Sequence, residues 1–188
     1  MPIVTINQQI CFVRLELRAG EIRGLLERHV LNYPGAADLE QRGLQIIESG
    51  FPSAETGAFV EAVVRWGGGQ RFVGRLLDQN KPETIGEVLI EADNKLQLGQ
   101  VAEAVSTLQR LRYLGQSFAS KVARFLHPDR AVILDEVIRG ALGYRESQIG
   151  YQEFLGDCKA TLALLSPDHP HLRICDVEAA IFAKIQGY

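Results

Sequence analysis

Apolar residues recur at three- and four-residue spacing through most of the chain, as in helices that each bury one face. Ile22, Leu25, Leu26 and Val30 share a face within residues 21–32. Leu39, Leu44 and Ile47 do so within 37–48, which closes at Gly50. Ser53 offers an N-cap for a helix reaching Trp66, ended by Gly67, Gly68 and Gly69. Residues 71–79 and 82–96 follow, the second with Pro82 in its first turn. Further helices are expected over 101–112, 119–126, 136–142, 149–165 and 177–186. Residues 2–18 alternate loosely and are rich in Ile and Val, which predicts a short N-terminal strand or hairpin. The expected class is all-α, a single helical domain over residues 1–188 without internal repeats. A chain of 188 residues can bury one sizeable core or fold as two helical lobes sharing a cleft.

Chemistry concentrates between residues 101 and 135. Val101, Ala104, Val105, Leu108 and Leu111 form one buried stripe, and the chain then turns through Tyr113-Leu114-Gly115-Gln116-Ser117. A second helix is expected to begin near Ala119. The pair forms a helix-hairpin-helix unit over about 101–127, whose second helix can offer consecutive backbone N–H groups to a phosphate. A plain αα-hairpin gives the same pattern. Lys121 falls in the expected first turn of the second helix, with Phe118 and Phe125 on its stripe. Apolar surroundings and a helix N-terminus lower the pKa of an amine. A nucleophilic lysine needs that shift, because at its ordinary value of ~10.4 it is protonated. A lysine lying along the surface would occupy the same position. Beyond Pro128, the apolar run Ala131-Val132-Ile133-Leu134 should be extended. Five helical residues descend ~7.5 Å and four extended residues climb ~13 Å, so Asp135 can return to the neighbourhood of Lys121. Asp135 also stands as N-cap to the helix that follows. A carboxylate that accepts backbone N–H bonds favours its ionised form, which suits the stabilisation of a cationic sugar.

The run Gly115-Gln116-Ser117-Phe118-Ala119-Ser120-Lys121-Val122-Ala123, followed by Val132-Ile133-Leu134-Asp135, resembles the catalytic signature of the helix-hairpin-helix DNA glycosylases. Within them it is most similar to the 8-oxoguanine DNA glycosylase-like branch. The resemblance covers about thirty residues. It implies a two-lobed helical fold that binds double-stranded DNA across a cleft and excises a damaged or modified base, expected to be a purine. It implies that Lys121 attacks the sugar C1′ of a flipped nucleotide, forming a Schiff base, and that Asp135 assists departure of the base. Ser117 stands where the pattern has a second hairpin glycine, and the interval from Lys121 to Asp135 is shorter than in most relatives. The four-cysteine iron–sulfur cluster of some members is missing.

Around this segment, Gly115, Gln116 and Ser117 are expected to grip a DNA phosphate, aided by Arg112 and Arg124, with Gly115 taking a positive φ in the turn. Trp66 could line a base pocket or cap a core helix, and Phe125 could stack on a flipped base or fill the core. The formal net charge of −3 argues mildly against nucleic acid. Residues 110–130, however, carry Arg110, Arg112, Lys121, Arg124 and Arg130 against Asp129 as their one acid. A non-catalytic helix-hairpin-helix DNA-binding module, or a helical interaction protein without nucleic acid, are the alternatives to an enzyme.

Composition narrows the remainder. No stretch approaches the ~20 apolar residues of a membrane span, and no basic region precedes an apolar run at the N-terminus. Three scattered cysteines point away from a disulfide framework and toward the cytoplasm. Cys158, His169, His171 and Cys175 match no compact zinc spacing, and neither metal nor other cofactor is expected. Ser117 and Ser120 lack a histidine–acid pair beyond His127, and Gly67-Gly68-Gly69 lacks the lysine of a phosphate loop. A monomer is expected.

Overall fold

The computed structural model describes residues 14–188, together with the backbone of residues 4–6 and 9–12. Three short strands, β1 (Val4–Ile6), β2 (Gln9–Phe12) and β3 (Leu15–Arg18), form an antiparallel meander in the order β1-β2-β3. In β2 and β3, Cys11 pairs with Glu16 and Ile10 with Leu17. Residues 2, 3, 7, 8 and 13 of the predicted 2–18 segment lie outside the described residues. A single 3-10 turn, Ala19–Glu21, leads into a helical body, and the protein is all-α with this small sheet appended.

The helices described are α1 (Ile22–Asn32), α2 (Ala36–Glu48), α3 (Ser53–Trp66), α4 (Val73–Gln79), α5 (Pro82–Gln97), α6 (Val101–Leu108), α7 (Gln116–Leu126), α8 (Glu136–Leu142), α9 (Gln148–Leu165) and α10 (Ile174–Gln186). Their local causes are readable. Pro82 opens α5, where its missing N–H costs nothing. Ser147 caps α9 by accepting from the Gly150 amide. The predicted cap at Ser53 is replaced by Pro52, and Ser53 is the first helical residue.

Packing gathers the helices into two sets, joined where α9 lies against α6 as well as α10. α2 lies against α3 and α7, α3 against α5, and α5 and α7 against α6. In the second set α10 packs on α1, α8, α9 and β3. The sets share one hydrophobic core, continuous from Leu17 to Ala183. Gly43 permits the closest approach within the first set: a Cβ there would stand 2.1 Å from the Phe125 carbonyl oxygen. A side chain at 43 would force α2 off the end of α7.

Candidate active site

α7 begins at Gln116, three residues before its expected start. The first intrahelical amides, Phe118 and Ala119, both donate to the Gly115 carbonyl, and the Gln116 and Ser117 amides precede them. Lys121 therefore sits in the second turn of α7. Gly115 is the N-cap, with φ −67° and ψ 170°, and a Cβ there would meet no atom within 4 Å. The expected positive φ belongs instead to Tyr113, at 69°. That turn is held from α4's end. The Asn80 side chain accepts from the Arg112 amide at 2.9 Å and donates to the Arg112 carbonyl at 3.0 Å.

The chain leaves α7 at His127, turns, and runs extended through four buried residues, Ala131 to Leu134. Two side chains hold this segment as a neighbouring strand would. The Tyr151 hydroxyl accepts from the Val132 amide at 3.3 Å and donates to the Val132 carbonyl at 2.9 Å. The Ser120 hydroxyl accepts from the Leu134 amide at 3.1 Å. Asp135 is thereby delivered beside Lys121, with Nζ and Oδ2 3.8 Å apart. Its other oxygen, Oδ1, caps α8 by accepting from the Ile138 amide at 3.0 Å.

Lys121 is 6% exposed. Its ammonium donates to Ser117 Oγ at 3.0 Å and stands 5.2 Å over the Phe118 ring. Burial lowers its pKa, while Asp135 and Glu178 act in the opposite sense. Ser117 thus gives the lysine a hydrogen-bond acceptor. Gly67 gives its stem room: a Cβ at 67 would lie 2.7 Å from Lys121 Cδ and 3.0 Å from Phe118 Cε1.

Both catalytic candidates line a cavity of about 330 Å³ at the junction of the two helix sets. Its aromatic wall comprises His29 from α1 and Tyr33 just after it, Trp66 from α3 and Phe182 from α10. Tyr33 stacks on His29 with ring centres 5.2 Å apart and meets Phe182 edge-on at 5.4 Å. The polar wall holds Lys121, Asp135 and Glu178. Burial pushes Glu178 up to about 8, with Asp135 adding to the shift and Arg124 and the Ile133 amide opposing it. Burial, aided by Arg124, pushes His29 down to about 4. Trp66 lines the cavity, with an indole N–H that has no partner among the described residues.

Three expected site residues stand elsewhere. Phe125 is fully buried, packed edge-on against Trp66 at 4.9 Å, and belongs to the core behind the cavity wall. Arg124 is 6% exposed, ion-paired to Glu40 at 2.7 Å and stacked 4.5 Å over Phe125. It cannot reach a DNA backbone, because α2 supplies the neutralising acid that sequence neighbours lack. The Gln116 side chain is buried and donates to the Ser147 carbonyl at 2.8 Å, which leaves its amide alone for an anion. Arg112 is exposed at the hairpin, where it bonds Gln79 at 3.2 Å.

Sequence reasoning missed Glu178, Phe182, His29 and Tyr33. A signal was present for the first: Glu178 is a lone carboxyl within the apolar run from Val177 to Ala183. Cys158 and Cys175 are both buried thiols pushed upward by that burial, and the His169 ring bonds the Ala19 carbonyl. No group able to hold a metal ion occurs among the described residues, and no described helix is long and apolar enough to cross a membrane. No protein-family model, curated protein or solved structure matches the chain.

Proposed function

We propose that this chain is a DNA glycosylase with AP-lyase activity, of the helix-hairpin-helix class, acting on a damaged or modified purine. One observation carries the reading: a buried lysine amine faces a carboxylate at 3.8 Å on the wall of an aromatic-lined cavity. Few structural roles call for such an amine, since burying a charged group is costly unless it is closely paired. An amine whose pKa is lowered is, by contrast, what nucleophilic attack requires. Cavities of about 300–1,000 Å³ hold small ligands, and an extruded base is recognised by stacking on aromatic side chains.

In this reading the Gln116 and Ser117 amides at the α7 N-terminus receive a phosphate, with Arg112 beside them. The flipped nucleotide enters between Trp66 and Phe182. Lys121 Nζ attacks C1′ as the bond from C1′ to the base breaks, and Asp135 Oδ2 faces the positive charge that develops on the sugar. Opening of the sugar ring then gives a Schiff base, from which elimination of the 3′ phosphate cuts the strand. The test is borohydride trapping on duplex DNA containing an abasic site. The parent should form a covalent adduct, and Lys121→Gln should form none while still binding the duplex. Undiminished trapping in the variant would remove Lys121 from the mechanism.

A further inference from the structure

Glu178 projects from α10 into the same cavity as Lys121 and Asp135, yet the two-residue mechanism leaves it idle. It is 3% exposed. The nearby cations do not claim it: Lys121 directs its ion pair to Asp135 and Arg124 directs its own to Glu40. The neighbouring Ile133 amide acts to favour its ionised form. Resting on the glycosylase reading, we infer that Glu178 is the general acid that protonates the departing base and then recovers a proton from Lys121.

The charged and titratable groups around Glu178 come from every neighbouring element. α7 supplies Lys121 and Arg124, and the α8 cap supplies Asp135. Tyr151 and Cys158 of α9 and the terminal Tyr188 also feel its charge, and all three are pushed upward. His29 shares the cavity and is held neutral above about pH 4. Among the cavity-lining groups, Glu178 is thus a carboxyl that keeps its proton at neutral pH, up to about 8. A neutral base departs poorly as an anion, so a proton at this wall has a use.

The step balances. The Lys121 nitrogen lone pair forms the bond to C1′ as the glycosidic pair passes to the base, which takes the Glu178 proton and leaves neutral. The attached nitrogen, now cationic, returns one proton to the Glu178 carboxylate. On a preformed abasic site no base departs, and imine formation releases water without net proton transfer. Glu178 is then dispensable.

That difference supplies the test. Parent and Glu178→Gln are compared in single-turnover excision of 8-oxoguanine, hypoxanthine and uracil from duplex DNA, and in borohydride trapping on an abasic duplex. The glutamine keeps the size and shape of the glutamate side chain. Excision of whichever base the parent removes fastest should fall by about 10²–10⁴-fold, with trapping within about twofold of the parent. In the parent, the ratio of excision to trapping, which cancels the titration of Lys121 itself, should fall above about pH 8. Unchanged excision in the variant would overturn the assignment. So would equal loss of excision and trapping, which marks a positioning role, or a ratio flat with pH. A parent that traps but removes none of the three bases overturns it as well. A parent that does not trap removes the glycosylase reading beneath it.

Discussion

Gly67→Ala tests whether the position of the Lys121 amine matters. The added methyl would lie 2.7 Å from Cδ and 2.9 Å from Cε. That is about 0.7 Å inside the separation at which carbon atoms begin ordinary contact. The lysine stem must retreat by that much, because the other neighbour, Phe118, is itself 3.0 Å away and packed edge-on against Phe72. A reacting group misplaced by 1 Å can lose about 10²-fold in rate, so a loss of roughly ten- to a hundredfold is expected. The backbone does not confuse the result. Gly67 has φ −77° and ψ 6°, which alanine adopts freely, so any loss of stability comes from crowding of the Lys121 stem and Phe118, about 1–3 kcal/mol. Gly68→Ala should leave trapping intact. Its φ is 87° and its added methyl meets nothing within 4 Å, so about 1 kcal/mol of stability should be lost while Lys121 stays in place. Single-turnover trapping and thermal melts of the two variants decide. If Gly67→Ala traps at the parental rate, the lysine either does not shift or does not need its place.

Further expectations follow from the same geometry. Asp135→Asn should cut base excision by orders of magnitude yet cost under about 1 kcal/mol of stability, because asparagine caps a helix as well as aspartate; full activity in single-turnover assays would make Asp135 a cap alone. Arg112→Ala should weaken DNA binding and reduce its salt slope by about one unit. Arg124→Ala should instead act on denaturant stability, toward the lower end of the about 3–5 kcal/mol of a broken buried pair, since Arg173 still holds Glu40 at 2.6 Å. Equal effects of the two on the salt slope would contradict the burial of Arg124. His29 takes a proton at about 4 when folded and near 6.5 when unfolded. Protons therefore favour the unfolded chain, and stability should fall as pH drops from 6.5 toward 4. His29→Phe should flatten that part of the stability profile, and an unchanged slope in urea titrations would reject the assignment.

Local chemistry accounts for what was legible in the sequence. The Asp135 cap and the return of the chain along α7 were readable because a cap needs only the next few residues, and because reach follows from rise per residue. The start of α7 was misplaced because Gly115 looks like a turn glycine, whereas the left-handed residue is Tyr113, held through the Arg112 peptide by Asn80. Nothing near the hairpin in sequence announces that clamp. Arg124 failed in the same way: its partner, Glu40, sits on α2. The cavity is assembled from α1, the end of α3, α7, the extended segment and α10. Its aromatic wall has no local signature, since each ring alone reads as core.

The pegged segment from Ala131 to Leu134 bears on how this chain can vary in length. The Val132 and Leu134 amides meet Tyr151 and Ser120, while the Ile133 side chain between them meets the cavity. Alternate residues of an extended chain face opposite ways, so a one-residue insertion or deletion would exchange these partners at every position. Asp135 would then arrive turned away from Lys121. Length changes here can be absorbed only in pairs, or in the turn before Ala131. Residues added between Lys121 and Asp135 should therefore be tolerated between His127 and Arg130, with the four-residue apolar approach left intact.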